Sequence, residues 1–149
     1  MNGRVSIDHY GERHSAGLHW THREQSDEVL LLTPLGQTAV RIYRNNISAT
    51  LDDGDKHYRA DNADTLMEKV LGWHLPLRAL HQWVLGLADT GSPAQIKRDS
   101  KGQISELRQN GWEVHFLRYA PDGLPARLQL NHEHLTVRLL IDEWQWNPN

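Results

Sequence analysis

Apolar and polar residues alternate along most of this chain, and a period of two restricts it to a fold built from half-buried strands. Val5 and Ile7, then Ala16, Leu18 and Trp20, then Val40 and Ile42 recur at every second position. So do Ile47, Ala49 and Leu51, then Trp112, Val114 and Phe116, then Ala126, Leu128 and Leu130, then Val137, Leu139 and Ile141. Residues i and i+2 of a strand share a face, so each set predicts one buried face with a solvated one behind it. Turn-forming residues separate the sets: Asp8 to Ser15, Arg44-Asn45-Asn46, Asp52-Asp53-Gly54, Asn110-Gly111 and Pro121-Asp122-Gly123. Short links between successive strands predict an antiparallel meander. Val29-Leu30-Leu31-Leu32 is apolar at every position, which leaves its facing open.

Residues 61–87 break the alternation. Asp61 is placed to cap a helix whose Ala63, Leu66, Met67, Val70 and Leu71 follow helical spacing, and Gly72 is suited to end it. A second helix is predicted from Pro76, where a missing N–H costs nothing, to near Gly86, with Leu77, Leu80, Trp83 and Val84 facing inward. Two short amphipathic helices within a meander have to cover one face or one end of the sheet. The chain has 149 residues and no repeat or linker, so a single mainly β (α+β) domain over 1–149 is expected.

Composition narrows the chemistry. The net charge of −3 is spread through interleaved acids and bases, with no basic block for nucleic acid. The absence of cysteine excludes disulfides and thiolate chemistry. No apolar run reaches the roughly 18 residues of a membrane-spanning helix, and Met1 to Ile7 do not read as a signal peptide. Ten histidines invite a metal reading, with His132 and His134 on one strand face, Glu133 opposite, and His19 close to His22. No His-Glu-x-x-His or comparable ligand set accompanies them, so solvated histidines are the stronger reading. Asp52, Asp53 and Asp55 lack the other ligands of a calcium loop and read as an acidic turn. There is no Gly-x-Ser-x-Gly elbow and no phosphate loop. No catalytic residue, metal or organic cofactor is therefore expected. Of the tryptophans, Trp20, Trp83 and Trp112 are expected to pack inside, and Trp144 and Trp146 to lie at a rim.

Several segments, taken in order, resemble the LolB family of outer-membrane lipoprotein insertion factors. Leu32-Thr33-Pro34-Leu35-Gly36-Gln37-Thr38 is similar to the family's hairpin segment. Gly72-Trp73-His74-Leu75-Pro76, followed by Leu80, Trp83-Val84 and Gly86, is similar to its helix pair. Gln109-Asn110-Gly111-Trp112-Glu113-Val114 and Leu140-Ile141-Asp142-Glu143-Trp144 are similar to its later strands, and together the segments span residues 3–146. The resemblance implies an incomplete antiparallel β-barrel, a curved sheet with its short helices against the concave face, enclosing an apolar cavity. It implies a protein on the periplasmic face of the outer membrane that accepts lipoproteins from the carrier LolA and inserts them into the inner leaflet, without nucleotide or metal. At its front the sequence departs from the family, with no signal peptide, lipid-accepting cysteine or leading helix before the first strand. A soluble, monomeric form beginning at that strand is expected, and a naturally unanchored variant is the alternative.

Burying each CH₂ is worth about 0.8 kcal/mol, so three acyl chains of roughly sixteen carbons would cost about 35 kcal/mol or more in water. An apolar cavity answers that cost, but alternation alone fits a filled core equally, and close packing favours the filled core. The resemblance turns the reading toward a cavity, lined by Val5, Ile7, Leu18, Trp20, Val40, Ile42, Leu66, Val70, Leu80, Trp83, Val84, Phe116, Leu128 and Leu139. At the tip of the first hairpin, Pro34 suits position i+1 of a β-turn and Gly36 position i+3, which puts Leu35 at i+2. A large apolar residue there can fold back onto its own strands; the resemblance implies instead that Leu35 protrudes and meets the membrane. Two other classes stay open, a general periplasmic binder of lipids or other apolar ligands and a hydrolase that uses histidine.

Overall fold

The computed structural model describes residues 1–145. Its strands are β1 (Asn2–His9), β2 (Glu12–Arg23), β3 (Ser26–Leu32), β4 (Thr38–Arg44), β5 (Ala49–Asp52), β6 (His57–Ala60), β7 (Ala94–Arg98), β8 (Ile104–Gln109), β9 (Trp112–Tyr119), β10 (Pro125–His132) and β11 (Leu135–Glu143). Helices α1 (Ala63–Leu71) and α2 (Leu77–Trp83) stand between β6 and β7. The strands form one 11-stranded sheet in the order β6-β5-β4-β3-β2-β1-β11-β10-β9-β8-β7, open at β6 and β7. From β2 to β6 and from β7 to β11 neighbouring strands pair antiparallel, as the short links require.

Tight turns set these registers. Asn110 and Gly111 both take positive φ, 55° and 82°, the type I′ geometry that matches strand twist and that Asn and Gly adopt at little cost. Tyr10 and Gly11 do the same at 53° and 84°. The link predicted over Asp8 to Ser15 is therefore only this pair, because strand pairing continues to His9 and resumes at Glu12. Ile47 was expected in a strand but lies in the β4–β5 turn, 80% exposed. Asn45 builds that turn by accepting the N–H groups of Ile47 and Ser48 on its side-chain oxygen, so the strand begins only at Ala49. His134 does not share a strand face with His132. Glu133 at φ 50° turns the chain, and His134 stands at the hairpin tip.

The chain divides into two compact units. One comprises Met1–Arg4, Ala16–Pro76 and the segment from Asp142. Across its strands Leu18 faces Leu31 and Trp20 faces Val29; Val29 and Leu31 in turn face Ile42 and Val40, and Ile42 faces Leu51. One face of the strands is thus apolar, and the orientation that the sequence left open puts Val29 on it. Helix α1 packs on β4, β5 and β6 with Ala63, Leu66 and Met67 buried. Its cap is Asn62, not Asp61: the Asn62 side chain accepts from the Thr65 N–H at 2.8 Å. Gly72 ends the helix at φ 84°, a left-handed position glycine takes without strain.

The other unit comprises Val5–Ser15 and Leu77–Ile141. Here Phe116, Leu128 and Leu139 face one another across β9, β10 and β11, and Val114, Leu130 and Val137 form the next row. Helix α2 buries Leu77, Ala79, Leu80 and Trp83. It is shorter than predicted; after Trp83 the chain tightens into turns, with the Leu85 N–H on the Gln82 carbonyl and the Gly86 N–H on that of Trp83. Trp20, Trp83 and Trp112 are buried as expected and Trp144 is half-buried, while Trp146 lies outside the described residues.

Candidate functional site

The turn between β3 and β4 is a hydrogen-bonded platform. The Gly36 N–H donates to the Thr33 carbonyl at 2.8 Å, the Thr33 N–H donates to the Gln37 carbonyl at 2.8 Å, and the Gln37 N–H donates to the Thr33 hydroxyl at 3.2 Å. Thr33 is thus position i, Pro34 i+1, Leu35 i+2 and Gly36 i+3. Gly36 at φ 83° lets the chain return into β4. Leu35 does not fold back onto its strands, and its side chain is 87% exposed. Leu35 is thus an exposed apolar side chain on a hydrogen-bonded turn.

The apolar residues singled out in the sequence fall into two sets, one in each unit. Leu18, Trp20, Ile42 and Leu66 are buried in the unit that carries α1, where Val40 and Val70 are half-buried. Val5, Ile7, Leu80, Trp83, Val84, Phe116, Leu128 and Leu139 are buried in the unit that carries α2. All the strand members lie where the period of two puts them. On α1, Leu66 and Met67 are turned most deeply onto the strands, and Val70 is less deeply buried than they are.

Two buried polar groups escaped the sequence reading. On the apolar face of β3, the fully buried Asp27 carboxylate accepts from Trp20 Nε1 at 2.9 Å, from His22 Nδ1 at 2.7 Å and from Arg44 Nε at 2.6 Å. β2, β3 and β4 are thereby joined through one charge. A buried carboxylate is tolerable only when paired and hydrogen-bonded, and this one is both. In the other unit, Gln109 uses its whole amide. Its oxygen accepts from Trp83 Nε1 at 2.9 Å and from the Asp89 N–H at 3.0 Å, and its nitrogen donates to the carbonyls of Asp89 and Ser92 at 2.7 and 2.9 Å. Gln109 therefore fixes α2 and the segment after it to β8. Neither Asp27, in the polar run Gln25-Ser26-Asp27-Glu28, nor Gln109, beside a turn, carries a sequence signal that distinguishes it from a solvated residue.

The histidines are dispersed. His22 belongs to the Asp27 network, His74 meets Glu68 at 2.6 Å, His57 meets Asp52, and His132 stacks on Trp112 with ring centroids 4.8 Å apart. Among the described residues, Glu106, Glu113 and His115 form one group with the spacing of a metal site. Its carboxylates are already engaged. Lys97 and Arg108 contact Glu106 at 3.5 and 3.1 Å, Arg108 contacts Glu113 at 3.6 Å, and His115 Nε2 donates to Glu113 at 2.6 Å. Desolvation pushes the Glu106 carboxyl up, but hydrogen bonds and charge from Arg108 and Lys97 outweigh it and hold the group below its ordinary range. The acidic turn after β5 is self-contained, with Asp53 Oδ1 accepting the N–H groups of Asp55 and Lys56 at 3.2 and 3.0 Å.

Comparison with known proteins gives a consistent picture. Residues 1–144 match the family described as outer membrane lipoprotein LolB. The outer-membrane lipoprotein LolB of Nitrosomonas europaea is 36% identical, the match covering 97% of this chain and 71% of the relative. That of Chromobacterium violaceum is 33% identical over 97% of this chain and 79% of its own. A solved LolA superfamily protein from Nitrosomonas europaea shares the fold, with a TM-score of 0.50 at 7% identity, covering 97% of this chain and 86% of that one.

Proposed function

The chain belongs to the LolB family of outer-membrane lipoproteins, and from that premise we propose that it accepts lipoproteins from LolA and inserts them into the inner leaflet of the outer membrane. The process is a transfer, in which no bond is made or broken. Direction comes from a downhill order of affinities for the acyl chains, first LolA, then this protein, then the bilayer. We assign acyl contact to the two apolar sets described above. Most of these side chains are excluded from solvent, so acyl chains gain access by displacing a helix from the strands it covers. Contacts of this kind are non-directional and tolerate variable chains. On this reading the chain works as one monomeric LolB-like domain and needs no metal or organic cofactor.

The observation that carries the membrane step is Leu35, held outward on its turn. Burying one exposed leucine in lipid yields about 1.5–3 kcal/mol. That is too little for residence at a membrane but enough to favour contact at the moment of release. Leu35→Glu tests it. Folding and acceptance from LolA are expected to be unchanged, because a solvated tip tolerates charge. Delivery of lipoprotein from LolA to liposomes is expected to fail while loaded protein accumulates. Delivery by the variant at the wild-type rate would refute the assignment. A periplasmic binder of apolar ligands with no membrane step would lack any dependence on Leu35.

A further inference from the structure

The same end of the unit that bears Leu35 also bears the turn between β5 and β6, and the two turns differ in charge. Residues 33–40, Thr33 to Val40, contain no ionisable side chain. The β5–β6 turn presents Asp53, Asp55 and Lys56, all exposed, for a net charge of −1. The registers fix their relative heights. Leu30 faces Arg41 and Arg41 faces Asp52; beyond that level β3 continues through Leu31 and Leu32, and β4 through Val40, Ala39 and Thr38. The Leu35 turn therefore leads the acidic turn by two to three residues of strand, about 8 Å at 3.3 Å per residue. Sideways the turns are two strand spacings apart, about 10 Å. When the tip touches a membrane, the acidic turn stands roughly one Debye length, about 8 Å, from the headgroups. Lys56 is already counted in the net charge of the acidic turn, and Arg41, the first base along β4 behind the tip, is bound by Glu28 at 2.7 Å and lies 3.9 Å from Asp52.

Membrane-binding segments that seek anionic lipid pair their apolar residues with lysine and arginine. This tip has the opposite arrangement. We propose that the Leu35 turn is matched to a zwitterionic lipid surface, and that the Asp53–Lys56 turn disfavours anionic ones. The proposal rests on the membrane reading of Leu35 and adds to it the lipid class. Asp53 is suited to the task because hydrogen bonds from the N–H groups of Lys56 and Asp55 hold its carboxyl below the ordinary range, which keeps it ionised.

The test uses the lack of cysteine in the chain. Gln37→Cys, carrying an environment-sensitive fluorophore, reports contact of the tip with vesicles of phosphatidylcholine and phosphatidylethanolamine, or with vesicles enriched in phosphatidylglycerol. Binding is expected to be about twofold tighter to the zwitterionic vesicles, the effect of one unit charge held about one Debye length from an anionic surface. Asp53→Asn/Asp55→Asn should abolish or reverse that preference. Glu24→Gln/Asp61→Asn makes the same charge change at the far end of the same strands and should leave it intact. Screening in molar salt, where the Debye length is about 3 Å, should remove the preference in the wild type. Equal or tighter binding to anionic vesicles would overturn the proposal, as would equal relief by the far-end variant. A fluorophore that responds to LolA but to neither vesicle would make the tip a protein contact and overturn it as well. Leu35→Glu separates the two levels. If that variant still binds both vesicles, the membrane reading itself fails; if it loses binding but lipid charge has no effect, only the charge proposal fails.

Discussion

Asp27→Ala removes the one acceptor shared by Trp20, His22 and Arg44. The Asp27 side chain is fully buried, while that of Arg44 is 23% exposed. Deleting one partner of a buried ion pair costs about 3–5 kcal/mol, chiefly because the other charge is left without compensation. The guanidinium of Arg44 reaches water in part, which moves the expected loss to the lower end, about 3 kcal/mol. For a chain of this size that corresponds to a fall in Tm of roughly 6–12 °C. Urea unfolding followed by tryptophan fluorescence measures it. Arg44→Ala leaves the fully buried Asp27 carboxylate without its guanidinium, so it should cost at least as much even though Trp20 and His22 remain as donors. The double variant should be less destabilised than the two single losses added, with a coupling of about 1–3 kcal/mol. A loss below about 1 kcal/mol for Asp27→Ala, a typical surface-like result, or strict additivity in the cycle, would show that this charge is not what joins the three strands.

Gln109→Leu strands the Trp83 indole N–H and the backbone of Asp89 and Ser92. It should cost about 2–4 kcal/mol and speed hydrogen exchange over residues 87–93 before any other part of its unit, and unchanged exchange there would contradict it. Asn62→Ala removes the cap of α1 and should lower stability by about 1 kcal/mol in urea titration, whereas Asp61→Ala should have little effect. Tyr119 donates to the Ile104 carbonyl at 2.7 Å, and desolvation, then the charge of Asp99, raise its pKa. The fold therefore favours the neutral phenol. That contribution is complete below the ordinary tyrosine pKa of about 10 and is lost as pH rises through the higher folded value. Thermal unfolding between neutral and strongly alkaline pH should show the decline, and Tyr119→Phe should flatten it.

Strands with one polar face were legible in the sequence because burial on one side writes itself as alternation. Trp112, Val114 and Phe116, or Val137, Leu139 and Ile141, lie on a buried face as the period of two requires. Strands β6, β7 and β8 were not anticipated. β6 and β7 are short edges with little burial, and β7 presents Gln95, Ile96, Lys97 and Arg98 to solvent. An edge strand pairs on one side only and needs no apolar face, so its pattern carries little signal. The turn at Thr33–Gly36 was legible because proline and glycine occupy positions that only one turn geometry fits comfortably. Whether Leu35 folded back was not, since that depends on the surface beneath it. Asp27 and Gln109 were hidden for a related reason: a polar residue becomes a core residue only through partners remote in sequence, such as Arg44 for Asp27 and Trp83 for Gln109.

The strand order places β1, the first strand, beside β11, the last, in the middle of the sheet. On one side of that junction lies a meander of consecutive strands, β1 to β6, and on the other a second, β7 to β11. Each meander closes through neighbours in sequence, a local and fast process. The junction between them is the opposite, joining segments separated by nearly the whole chain, as in the hydrogen bond from the Tyr10 N–H to the His134 carbonyl at 3.2 Å. One edge of β1 thus stays without its partner until β11 has been synthesised and delivered. For that interval the nascent polypeptide carries an open template for pairing with other chains. Any factor that escorts it to its compartment has to shield this first strand for longest.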